Sequence, residues 1–166
     1  MTDIEQLDGD VAELARRIAG IRFAMVTLPD ADGRLRGRPL TVQDLDADGR
    51  LWFLVSRSSE WASGVGASGT QANVSFADPD DARWVSVSGT ATLVDDRARI
   101  DEMWSALYSA WFDGKDDPDI CVLRFDADVA DYWDAAANKF VRMARILKAA
   151  VTGNGSDEGD RGTLHP

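Results

Sequence analysis

Two copies of Asp-Ala-Asp-Gly, at 30–33 and 46–49, fix how the first third of this chain must run. An Asp side chain folds back onto its own backbone and Gly accepts positive φ, so each copy reads as a tight turn. The stretch between them, Leu-Arg-Gly-Arg-Pro-Leu-Thr-Val-Gln at 35–43, is then a strand, with strands over 21–28 before it and 50–55 after it. Two short turns predict a three-stranded antiparallel meander. Strand side chains alternate, so Arg36 and Arg38 share a face. Two readings stand at this point. The pair is solvated on an outer sheet face, as long cations usually are, or it meets an anionic ligand such as a phosphate, because paired cations stand out in a chain of net charge −11.

The same charge bears on partners. With 29 acidic against 18 basic residues, nucleic acid and anionic membrane surfaces would repel the chain, and neither is expected as a partner. No apolar run reaches transmembrane length and the N-terminus does not resemble a leader, so a cytoplasmic protein is expected. One cysteine, Cys121, lies in the apolar run Ile-Cys-Val-Leu and reads as a small buried hydrophobe. The one histidine, His165, is next to the last residue. Ser-His-Asp chemistry, Cys-His chemistry and His-ligated zinc are therefore not expected. No metal site is expected and no catalytic residue is identified.

Apolar residues at helical spacing from Ile4 to Ile18 predict an amphipathic helix ending near Gly20. Leu51 to Val55 is apolar without alternation, which predicts a strand covered on both faces, or on one face by a partner subunit. A short Ser-capped helix is expected over 58–65 and a strand over 72–77 that stops at Asp78-Pro79. Residues 83–94 alternate most clearly; Gly89 inside them predicts a bulge or a close backbone approach. Asp95-Asp96 would cap a helix whose apolar stripe runs Ile100, Met103, Trp104, Leu107, Tyr108, Trp111. A strand over 120–125, extended to Tyr132-Trp133, a last helix over 138–151 and a disordered polar tail complete the reading. The expectation is one domain at 1–153 and a tail at 154–166. The fold class is mainly β with added helices: an antiparallel barrel flanked by helices.

Two motifs fail on context. Gly64-Val65-Gly66-Ala67-Ser68-Gly69 matches the dinucleotide fingerprint, but it precedes a strand where the fingerprint must open a helix. Asp44 to Gly49 begins like a calcium loop, but its twelfth position is Val55 rather than a bidentate Glu. A loop and a turn are the better readings.

The order of motifs resembles a known family. Gly37-Arg38-Pro39-Leu40, Leu51-Trp52-Phe53-Leu54, Asn73-Val74-Ser75-Phe76-Ala77-Asp78, Val85-Ser86-Val87-Ser88-Gly89-Thr90-Ala91, the Trp-bearing helix and Asp131-Tyr132-Trp133-Asp134 are similar, in order and spacing, to the general stress protein 26 group. That group belongs to the split barrels related to pyridoxamine 5′-phosphate oxidase. The resemblance implies a split β-barrel and a homodimer with flavin mononucleotide (FMN) at the subunit interface, or FAD or a deazaflavin in its place. It implies a cofactor set of Arg38, Pro39, Leu40, Thr41, Ser56, Arg57, Trp61 and Trp133, with Arg38 on the phosphate. It implies a flavin-dependent oxidoreductase linked to stress response; the alternative is a non-catalytic module holding flavin, deazaflavin or haem, or a barrel that has lost its cofactor. The chain departs from the pattern at Val55, where the family has Thr, and at Trp61, where it has a phosphate-binding Lys. Gln43 stands where the oxidase has Lys. Arg36 and Arg57 are the candidate substitutes, and Trp61 and Trp84 either stack on a flat ring or pack the core.

Overall fold

The computed structural model describes residues 5, 7–66, 68–134 and 160–166. Among them the chain runs α1 (Gly9–Ile18), β1 (Phe23–Pro29), β2 (Leu35–Thr41), β3 (Asp44–Leu45), β4 (Arg50–Ser56), β5 (Thr70–Asp78), β6 (Arg83–Val94), α2 (Arg97–Met103), β7 (Ile120–Asp134) and β8 (Asp160–Leu164). The strands form one antiparallel sheet in the order β2-β1-β5-β6-β7-β4-β3, with β8 added to β7. The sheet curls into a half-barrel with two flanking helices, the expected fold class. No helix among the described residues is long and apolar enough to cross a membrane.

Both Asp-Ala-Asp-Gly copies form the expected turn, by the same bonds. Asp30 Oδ1 accepts from the N–H groups of Asp32 (3.0 Å) and Arg34 (2.9 Å), and Asp46 Oδ1 accepts from Asp48 and Arg50 (both 3.0 Å). Gly33 and Gly49 take the positive φ that closes each turn. The three-stranded meander is corrected. β1 and β2 pair along their length, but β2 does not continue onto β4; β3 pairs with β4 instead. The reason lies in two consecutive amides. Val42 N–H donates to the Arg22 carbonyl on the β1 side, and Gln43 N–H donates to the Trp52 carbonyl on β4. The chain crosses from one edge of the sheet to the other in a single peptide, and the barrel is split there.

The core follows from alternation. Leu51, Phe53 and Val55 point into the barrel with Val26, Val74, Val87, Leu123 and Phe125, all of them buried. Trp52 and Leu54 point outward into a second cluster with Ile100, Ile120 and Val122. β4 is thus covered on both faces, as its continuous apolar run requires. Each fully buried Leu, Ile or Phe contributes about 1.5–3 kcal/mol.

Three expected elements are shorter or different. α1 supplies Leu14, Ala15 and Ile18 to the core but starts at Gly9. The Ser-capped helix is a 3-10 turn at Ala62–Gly64, with Ser59 Oγ accepting from Ala62 N–H; the following glycines give it no length. The stripe after Asp96 breaks. Asp96 caps α2 by accepting from Arg99 N–H, but Trp104 is extended and a 3-10 segment follows at Ala106–Ala110. Trp and Ser at 104–105 are weak helix formers, and the break turns Trp104, Tyr108 and Phe112 onto the outer cluster while Leu107 and Trp111 stay exposed. The expected helix over 138–151 lies outside the described residues.

The polar C-terminal stretch contains β8, in place of the expected disorder over its last residues. β4 covers β7 only from Ile120 to Asp126, which leaves an open edge on Ala130 to Asp134. Asp160–Leu164 fills that edge, with Leu164 buried in the core and Gly162 against the Tyr132 ring. One apolar residue suffices because the ladder supplies the rest.

The β6 register shifts between Ser88 and Gly89, the expected bulge. A Cβ on Gly89 would sit 2.1 Å from the Asp126 carbonyl oxygen. Gly89→Ala is expected to cost about 3 kcal/mol by overpacking and to lower Tm by roughly 6–12 °C in thermal unfolding. At the far end of β4, Asp119 fastens the next loop. Its carboxylate accepts from Ser58 N–H (2.7 Å), Ser58 Oγ (3.0 Å) and Ser56 Oγ. The Ser56 hydrogen bond first, and then the Ser58 N–H, hold the Asp119 carboxyl below its ordinary value of 3.8. A depressed carboxyl stabilises the fold above the unfolded pKa, about 3.9, and that contribution is lost as pH falls through the lower folded value. Asp119→Asn should therefore lower Tm at neutral pH, with the gap to the native chain closing below about pH 3.9.

Candidate functional site

β2 is an edge strand, and its two faces differ. In the β1–β2 register Arg38 lies opposite Val26 and Arg36 opposite Leu28, both inward-facing residues; Pro39 lies opposite Met25 and Thr41 opposite Phe23, both outward-facing. Arg36 and Arg38 share a face, as expected. Val42 N–H bonds back toward β1, which puts the even-numbered residues of β2 in the bonded pairs. The missing N–H of Pro39 therefore falls on the open edge, where no ladder bond is lost.

On the inward side, the loop after β4 packs under β2. Trp61 is buried, and its indole N–H donates to the Arg36 carbonyl (3.0 Å). Of the two readings for this residue, core packing holds. The Arg38 guanidinium lies 5.9 Å from the Trp61 ring and has no carboxylate partner among the described residues. Arg36 pairs with Glu60 (3.2 Å) and Arg57 with Asp95 (3.1 Å), so neither candidate substitute is free. Ser56 and Ser58 give their hydroxyls to Asp119. Leu40 is half-buried against the core.

On the outward side, the sheet carries apolar residues that nothing described covers. Phe23, Met25, Trp84 and Trp133 are 62%, 44%, 40% and 47% exposed. Trp84 pairs directly with Trp133, and Met25 with Ser75. Together with Pro39, Ser86 and neighbours they line a groove of about 360 Å³ with no titratable side chain among the described residues.

A larger cavity, about 630 Å³, lies at the split itself, between α1, the start of β1, residues 41–43 and the 3-10 segment. Its walls are mostly apolar, with Arg22, Thr41, Gln43, Ser105 and Tyr108 as polar side chains. Burial raises the Tyr108 phenol, against the Arg22 charge and a hydrogen bond with Gln43. Thr41 lines this cavity. Cys121 is buried and burial raises its thiol, so it carries no reactive thiolate. His165 is exposed, its backbone N–H bonded to Asp10.

The expected set is thus divided. Arg38 and Trp61 meet on the inward side of β2; Pro39 and Trp133 line the outer groove; Thr41 reaches the split; Ser56 and Arg57 are held by Asp119 and Asp95. Sequence reasoning missed Phe23, Met25, Glu60 and Asp119. Phe23 and Met25 had a signal, since β1 is apolar on both faces. Asp119 had none: among Asp116, Asp117 and Pro118 it reads as one more solvated turn residue.

The model of the family described as pyridoxamine 5′-phosphate oxidase like matches residues 9–157. The crystal structure of a protein assigned as general stress protein 26 from Jannaschia sp. is 28% identical, with a TM-score of 0.74 over 93% of this chain and 99% of that one. The general stress FMN/FAD binding protein of Xanthomonas citri is 29% identical, with a TM-score of 0.65 over 76% of this chain and 89% of that one. Protein bli-3 of Neurospora crassa is 25% identical over 89% of this chain and 75% of its own length. With a matching family model across most of its length and the same curled sheet, the chain belongs to the pyridoxamine 5′-phosphate oxidase-like family.

Proposed function

We propose that this protein is a flavin-binding split barrel that works as a homodimer with the flavin at the subunit interface. The observation that carries the reading is the exposed apolar outer face, joined to a family whose Xanthomonas citri member is an FMN/FAD binding protein. Monomeric proteins rarely leave four large apolar side chains together in water. The groove among Phe23, Met25, Pro39, Trp84 and Trp133 suits a flat apolar ring, and Arg38 around the β2 edge offers one cation to an anionic tail. The ring part of a flavin fits the residues present. The phosphate part finds the Arg38 guanidinium, which has no carboxylate partner among the described residues.

A bound flavin would supply hydride transfer. The chain's own part is to hold the ring, keep water off it and cover it with a second copy. The groove's described lining supplies no residue in an acid–base role. That leaves two versions of the same function: an oxidoreductase in which the flavin alone does the chemistry, and a module that holds the flavin without turnover.

Purified protein should carry or take up a flavin, read from its visible spectrum and from quenching of added FMN fluorescence. A protein that does neither would end the flavin reading. Arg38→Ala should weaken FMN binding about tenfold, the lower end for an exposed charge-assisted contact. Unchanged affinity would move the phosphate elsewhere. Light scattering should give the mass of a dimer, and Trp84→Lys, which puts a charge into the outer face, should shift it to monomer. Under anaerobic conditions, rapid bleaching of the bound flavin by NADH or NADPH and recovery in air would select the oxidoreductase; no bleaching selects the binding module.

A further inference from the structure

We infer that this chain recognises a flavin by its ring and hardly by its phosphate, so that riboflavin and FMN bind with similar affinity. The inference rests on the flavin reading above and adds to it the ligand class: flavins with or without a phosphate.

The argument is an account of donors. A phosphate dianion is held where several N–H, O–H and cationic groups converge on it and are not otherwise engaged. The loop after β4 has such a convergence, formed by Ser58 N–H, Ser58 Oγ and Ser56 Oγ, and the Asp119 carboxylate already occupies it. Asp119 cannot swing away freely. It immediately precedes β7, whose first residue, Ile120, is in register with Ser56, and its carbonyl accepts from Arg57 N–H (2.7 Å). The cations nearby are also engaged, Arg36 by Glu60 and Arg57 by Asp95. Where the family pattern has a lysine, the buried Trp61 offers its one N–H to the Arg36 carbonyl.

Among the described residues of β2 and the loop after β4, what remains for a phosphate is Arg38, exposed, in a chain of net charge −11. One guanidinium in water attracts a dianion weakly, and the chain's net charge of −11 opposes it. The groove, by contrast, offers the ring the same apolar surface whether the tail ends in a hydroxyl or a phosphate.

The test titrates the protein with FMN and with riboflavin and reads fluorescence quenching. The two dissociation constants should lie within about tenfold of each other, the value of one exposed charge contact. Arg38→Ala should bring them together by weakening FMN alone. Asp119→Ala empties the loop's donor set, and the preference for FMN should then rise by about tenfold or more. If Asp119→Ala does not fold, the comparison in the native protein still decides. FMN binding more than about a hundredfold tighter than riboflavin would overturn this inference and leave the flavin reading intact. No binding of either ligand would overturn the flavin reading itself, and an unchanged preference in a folded Asp119→Ala would overturn the part given to Asp119.

Discussion

The backbone amides of Val42 and Gln43 set the architecture. Adjacent in sequence, they bond to carbonyls on the strands next to the two opposite edges of one sheet, Arg22 beside β1 and Trp52 on β4. Buried amides must find acceptors, and here the nearest acceptors for two neighbours lie on strands that do not pair with each other. The sheet therefore curls until its two edges come within one peptide, yet no ladder joins β2 to β4. α1 and the 3-10 segment at Ala106–Ala110 close over the gap from the side and leave the larger cavity between them.

The same split decides what β2 can present. An edge strand has one set of neighbours, so each residue is assigned to a face by β1 alone. A shift of one residue reverses the face. Arg38 and Pro39 are adjacent in sequence, but one faces the Trp61 loop and the other the apolar groove. A ligand using both must wrap the edge of the sheet, and the open edge at Pro39 allows that because no strand among the described residues lies beyond it. Charge and apolar surface are thus segregated by alternation on a single strand.

Much of this was legible in the sequence. The paired turns, the alternation over 83–94, the bulge at Gly89 and the two-sided burial of β4 all come from local chemistry: turn residues, period and the missing Cβ. The motif order reached the family, because that signal is spread along the chain and survives local departures. The pairing of β2 and β4 was not legible, since a turn of the right type predicts a hairpin and says nothing of where the following amides bond. The fate of the stripe after Asp96 was hidden for a related reason: its spacing fits a helix through Trp111, and the packing that breaks it at Trp104 involves Ile120 and Val122. At the candidate site, the two arginines and the odd residue at position 61 could be seen. Their partners could not. Glu60 is next to Trp61 in sequence, but it meets Arg36 only because the loop folds under β2, and Asp119 is 63 residues from Ser56.

The C-terminal strand shows how few residues can fix a long-range contact when geometry supplies the rest. The Arg17 guanidinium, on α1, reaches Glu13 (2.8 Å), Asp134 (3.2 Å) and Asp160 (2.6 Å) and lies 3.9 Å from the centre of the Tyr132 ring. Its planar fork of donors can serve carboxylates in several directions while its face stacks on an aromatic ring, which an ammonium cannot do. Asp134 and Asp160 are a register pair, the last residue of β7 and the first of β8. One side chain thus ties the first helix to the last residue of β7 and to the first of β8. Exposed ion pairs contribute little singly, but Arg17 is only 16% exposed and its partners share it, so the three contacts act as one fastening. β8 is held at that end by charge and at the other by the buried Leu164. That is why a polar stretch, with a single apolar anchor, is ordered against the open edge of β7.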